Sequence, residues 1–211
     1  MSTTIFSFPT SAFPPLAVGF FGLGTGYLIY GPQELFGKPP RNRAVDVSYG
    51  LWGIFMPGFM QFLAGVFLFA ALVWFHSLSS PGLYMAALAF TAYGVHWWAL
   101  GGTRLAGGDP RPNAYMSVAF VAISALGVTV FSAAASRDIP VALIFCGLVL
   151  VYVSEFASTW FPSTPTSAVA MPLGLRATRV LGFFRLLTGA WLIYMTWAAT
   201  LDFASGFSLW L

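Results

Sequence analysis

The chain has 211 residues, of which 58% are hydrophobic and only 7% charged, and its mean hydropathy is +0.81; a soluble domain carries roughly 25% charged residues. So few charges cannot cover the surface of a water-soluble protein of this size, and the long apolar runs point to an all-α integral membrane protein. The net charge of +3 contains no basic run, which speaks against nucleic acid as a partner. The single cysteine, Cys146, excludes an intrachain disulfide and, inside an apolar segment, is expected to be a packing residue. There is no HExxH, no nucleophile–base pair and no cluster of metal ligands, so neither an enzyme nor a cofactor is expected.

Residues 1–15 lack the basic and apolar regions of a signal peptide, and insertion is expected to begin with the first span. Charges cluster in a few places. The intervals between them predict six spans in a single transmembrane domain over 1–211, at about 14–31, 49–75, 82–103, 113–136, 139–161 and 180–201. The first is short. Its apolar stretch, 16–30, reaches ~22 Å at ~1.5 Å per residue, against ~30 Å of hydrocarbon, so it starts across Pro14-Pro15 or is capped by the following loop. Gly22 and Gly26 give it the G-x-x-x-G spacing of close helix packing. The second span is long enough to tilt, or to kink at Pro57. Along it Gly53, Pro57, Gln61 and Gly65 recur every four residues, a small-residue stripe whose one amide either bonds a neighbouring helix or lines a path.

The third span, opened by Ser79-Ser80-Pro81, contains Phe90-Thr91-Ala92-Tyr93-Gly94-Val95-His96-Trp97-Trp98. Phe90, Tyr93, Trp97 and, slightly off-line, His96 share a helical stripe. Polar groups in hydrocarbon are costly unless partnered or facing a water-lined path, so this stripe is expected to line or back a narrow route. The fourth span has Asn113 as candidate N-cap and reads as a packing helix. On the fifth, Leu148, Tyr152, Glu155 and Thr159 fall on one face. Glu155 is the one carboxylate deep in a predicted span, and it either carries a proton beside the route, pairs with Arg185, or sits near the membrane interface. Arg185 lies about a turn inside the sixth span and is expected to snorkel to the headgroups, with attraction of an anion as the alternative. His96 reads as a pH-responsive group or a hydrogen-bonded packing residue.

The first, third and fifth loops hold Lys38, Arg41, Arg43, Arg104, Arg111, Arg176 and Arg179, whereas the opposite side holds Arg137 alone. The positive-inside rule then puts both termini outside the cytoplasm.

Several stretches together resemble the acetate–succinate transporter family of bacteria and fungi. Gly53-Ile54-Phe55-Met56-Pro57-Gly58-Phe59-Met60-Gln61-Phe62-Leu63-Ala64-Gly65 resembles the family's G-I-F-x-G-G-x-x-Q-x-x-A-G. Phe90-Thr91-Ala92-Tyr93-Gly94 with Trp97 resembles its F-T/S-S-Y-G-x-F-W. Pro112-Asn113-Ala114 opens the fourth span as in the family, and Gly189-Ala190 with Tyr194 echo the last. The family's N-terminal Asn-Pro-Ala-Pro-Leu-Gly-Leu is half present, as Ala12-Phe13-Pro14-Pro15-Leu16-Ala17-Val18. The resemblance implies six helices per protomer, a homohexamer in the cell membrane, and a separate path through each protomer for acetate or, in some members, succinate. It places a constriction at Phe21, Tyr93 and Leu148, with Gln61 beside it. It also implies cytoplasmic termini, contrary to the charge bias, and no ionisable group at His96, Glu155 or Arg185.

The leading expectation is therefore a proton-linked transporter or channel for a short monocarboxylate such as acetate. Phe21, Tyr93 and Leu148 would form its gate, Gln61 and Thr91 would offer hydrogen bonds, Trp97 would back the path, and His96, Glu155 and Arg185 would be the charge sites. A channel for a neutral small solute and a structural subunit of a larger membrane complex are the alternatives.

Overall fold

The computed structural model describes residues 11–161, 172–206 and 209; the expectation for the extreme N-terminus falls largely outside them. Six long helices follow one another: α1 (Phe13–Phe36), α2 (Arg43–Trp74), α3 (Pro81–Ala106), α4 (Arg111–Ser132), α5 (Ile139–Trp160) and α6 (Leu173–Ser205). Five of them are long and apolar enough to cross a membrane. The exception is α3, whose 26 residues reach ~39 Å but whose Thr, Tyr, His and Trp side chains dilute its apolar character. Each helix packs on its neighbours in the chain and α6 closes on α1, so the helices form a ring whose inward faces meet at the centre. Where α1 begins and α6 finishes is the near end; the basic loops lie at the far end.

Helix α1 runs six residues past Tyr30, through Pro32, and stops where Gly37 takes a left-handed conformation (φ +69°) and donates to the Gln33 carbonyl. Proline inside a helix forfeits a backbone hydrogen bond. Here the turn that follows is held by other means. Gln33 donates to the Pro39 carbonyl (3.0 Å) and accepts from Arg104 (2.8 Å), while Glu34 pairs with Arg185. In α2 the kink expected at Pro57 is a π-helical segment, Ile54–Phe59, and a second π segment, Ala70–Trp74, ends the helix. Helix α6 begins at Leu173, seven residues before the predicted start, which moves Arg185 roughly three turns in.

Glycine sets how closely the helices approach. A Cβ on Gly94 would lie 2.6 Å from the Phe62 nitrogen of α2, and one on Gly182 would lie 2.4 Å from the Leu35 nitrogen of α1. Backbone on backbone at this range requires that no side chain intervene. Gly22 and Gly26 act as their spacing predicts, receiving Met60 and Pro57 of α2. Between α4 and α5 it is Gly127 that receives the Phe145 ring. The ring of six is thus three antiparallel pairs, α1–α6, α2–α3 and α4–α5. Cys146, expected to be packed, is exposed on the outer face of α5.

Candidate functional site

Two cavities enter the bundle from opposite ends. The near cavity, about 380 Å³, passes Ser80, Arg137 and Asp138 at its mouth and is then walled by Leu16, Phe20, Leu23, Phe90, Phe145 and Leu148. Its blind end holds Gln61, Tyr93 and Leu192. The far cavity, about 820 Å³, is polar. Arg41, Asp46, Arg104 and Arg179 line its outer part, and Tyr30, Glu34, Glu155 and Arg185 line its inner part.

Tyr27, Tyr152, Trp97 and His96 border neither cavity and are each 1% exposed. They make the layer that separates the two. Tyr93 stacks on Tyr152 with ring centroids 5.5 Å apart, Tyr152 meets His96 edge-on at 5.5 Å, and Trp97 packs against Tyr27 at 5.9 Å and Tyr30 at 5.0 Å. Counted along α3 from Tyr93 to His96, and along α5 from Leu148 to Glu155, this septum is only ~5–10 Å thick.

Polar atoms on the two sides differ in how they are satisfied. The Ser124 hydroxyl donates to the Phe120 carbonyl (2.6 Å), so its contact with the Tyr93 hydroxyl (2.9 Å) has Tyr93 as donor. Gln61 is fully buried, and neither its amide nitrogen nor its amide oxygen has a partner. On the far side the groups are charged. Arg185 pairs with Glu34 and, at 3.3 Å, with Glu155, whose other oxygen lies 3.7 Å from His96 Nε2. The guanidinium sits between the faces of Trp97 (5.5 Å), Tyr30 (5.7 Å) and Tyr27 (5.9 Å). Two carboxylates against one guanidinium leave one formal negative charge among these three groups, with the His96 ring beside it.

The expected gate residues divide. Gln61 and Tyr93 meet at the blind end of the near cavity and Leu148 lines its wall, Trp97 stands in the septum, and His96, Glu155 and Arg185 form one cluster. Phe21 is 43% exposed and turned outward; its neighbour Phe20, 4% exposed, supplies the aromatic wall instead. The cause is helical phase: Phe20 shares the inward face with Leu16, Leu23 and Tyr27. Thr91 likewise lines neither cavity. Its hydroxyl donates to the Ala87 carbonyl at 2.8 Å and packs where Gly65 leaves room. Arg185 does not snorkel: its side chain is 2% exposed, because α6 starts earlier and two carboxylates await it. Glu34 was hidden because the first span was expected to end at about 31, whereas the helix runs on to Phe36.

This ring of helices has a counterpart of known structure. Its fold is that of a solved bacterial acetate channel. The match, to the channel SatP, has a TM-score of 0.69 at 15% identity and covers 92% of this chain and 95% of that one. No protein-family model matches the chain, and no curated protein matches its sequence.

Proposed function

We propose that this protein passes short monocarboxylic acids of the acetate class across the membrane, along a path inside each chain from the near cavity through the septum to the far one. The observation that carries the reading is the unpartnered Gln61 amide at the blind end of an apolar cavity that faces a basic one across the septum. A buried unpaired amide costs about 1–3 kcal/mol per group, and a solute offering one donor and one acceptor removes that cost. An undissociated carboxylic acid does this, its O–H donating to Oε1 and its C=O accepting from Nε2. A carboxylate offers acceptors only. An apolar constriction disfavours a charged solute as well, so the acid crosses the septum neutral. It leaves its proton to the His96–Glu155 pair on the far side, which links passage to protons.

The shared fold with an acetate channel supports the same reading, and the resemblance implies a homohexamer. The basic residues stand at the far end, and by the positive-inside rule that end faces the cytoplasm. A neutral-solute channel is the second reading, favoured by the same amide: a small primary amide also offers a donor and an acceptor to Gln61.

The test is uptake of labelled acetate into proteoliposomes, with and without an inward proton gradient, for wild type and Glu155→Gln. Gradient-driven uptake that the variant loses is the expected result. Uptake that ignores the gradient and survives the substitution removes the proton link. Absence of uptake above empty liposomes, with an intact oligomer, leaves a structural subunit.

A further inference from the structure

Resting on that reading, we infer that Arg185 is the receptor for the ionised carboxylate in the far cavity, and that Glu34 is a built-in competitor holding the site until a solute carboxylate displaces it. The guanidinium is 2% exposed and lines the cavity, yet its Nε has no partner. A guanidinium binds a carboxylate best through two parallel N–H donors, and here each terminal nitrogen contacts a different glutamate. Neither glutamate takes two parallel donors, and Nε is the one guanidinium nitrogen left without a partner.

The two glutamates are not equivalent. Glu155 lies mid-bundle, 2% exposed, beside His96. Glu34 is at the cavity wall, its second oxygen lacks a donor, and it occupies the last turn of α1. A helix C-terminus carries partial negative charge and disfavours a carboxylate there. Arg104 and Arg41 flank Glu34 on its outer side and offer it other cations when it leaves. The aromatic faces of Tyr27, Tyr30 and Trp97 and the Glu155 contact hold Arg185 in place meanwhile. The exchange swaps one carboxylate for another and leaves the buried charge unchanged. The occupant is a small monocarboxylate anion, not a cation or a neutral solute.

The test is calorimetric titration of the purified oligomer with sodium acetate at neutral pH, with acetamide as the uncharged counterpart. Glu34→Gln removes the competitor and is expected to lower the acetate Kd about tenfold. Glu34→Gln combined with Arg185→Gln, which keeps the buried charge even, is expected to abolish acetate binding while acetamide binding stays as in wild type. Should that variant not assemble, Glu34→Gln with Arg185→Lys retains the charge without the fork and is expected to bind acetate at least tenfold more weakly than Glu34→Gln alone. An acetate Kd unchanged or raised in Glu34→Gln, or wild-type binding without the guanidinium, overturns the inference. Binding that follows the expected pattern without uptake in liposomes overturns transport and leaves the receptor standing.

Discussion

The near and far cavities are closed by different physics. Tight aromatic and aliphatic packing closes the near one, and its one buried amide is unmatched. Opposite charges close the inner part of the far one, where Glu34, Glu155 and Arg185 are held by ions from other helices. A hydrogen bond or ring in the first is lost locally, whereas a single charge removed from the second strands its partners in a dry interior. The sequence places a small uncharged handle on one side of the septum and an ionic trap on the other. A weak acid, existing as neutral molecule and anion, suits both.

The largest effect expected from this contrast is that of Arg185→Gln alone, which leaves Glu34 and Glu155 buried without their cation. It should cost about 3–5 kcal/mol, read as a loss of unfolding temperature in detergent; an unchanged temperature would show that the cluster is not held by charge. Next is Gly94→Ala, whose new Cβ meets the Phe62 nitrogen at 2.6 Å. Overpacking of this kind costs about 1–3 kcal/mol. Gly102→Ala on the same helix meets nothing within 4 Å and is the control, so equal effects would break the packing account. Tyr93→Phe removes only the bond to Ser124 and should cost about 1 kcal/mol. Tyr93→Ala, which thins the septum, should raise acetate flux in a folded protein, and unchanged flux would remove Tyr93 from the gate. Gln61→Leu should leave unfolding unchanged or shift it upward, since an unpaired amide is lost, while acetate uptake falls. If stability falls with uptake, the amide has a structural partner.

The smallest effect is expected outside the membrane. Arg111 bonds the exposed Asp109 carboxyl and holds it down at about 2, below the ordinary value near 4. A depressed carboxyl stabilises the fold above its unfolded value and ceases to do so as pH falls through about 2. Because the pair is exposed, screening keeps that contribution small, so Asp109→Asn should lower the unfolding temperature at neutral pH only marginally and have no effect below pH about 2.

Helix number and order were legible in the sequence because long uncharged runs have no other use in hydrocarbon. Tyr93, Gln61 and Leu148 were singled out through helical spacing and the family resemblance, and the structure brings them to the wall of one cavity. Phe21 was not, because an aromatic pair in a helix puts its members 100° apart and local pattern does not say which faces in. Glu34 was missed because the span was ended at 31, although length held the clue: a span ~8 Å too short needs about five more residues, and five beyond Tyr30 include Glu34. Arg185 was misplaced because the basic residues Arg176 and Arg179 read as loop, whereas α6 already contains them.

The pairing of helices described above fixes how the centre can move. Gly94 against Gly58, Gly50 against Gly101 and Gly31 against Gly182 seat backbone on backbone, so neither α2–α3 nor α1–α6 can slide internally without collision. Tyr27 belongs to one pair, Tyr93 and Trp97 to the second, and Tyr152 to the third. The septum is the meeting point of the three pairs, two of them locked backbone to backbone, so a tilt that carries each pair as a unit would widen it as an iris widens, from the middle outward. The Glu34–Arg185 contact lies within one pair and travels with it, whereas the contacts of Arg185 and His96 with Glu155 bridge pairs and lengthen as the iris opens.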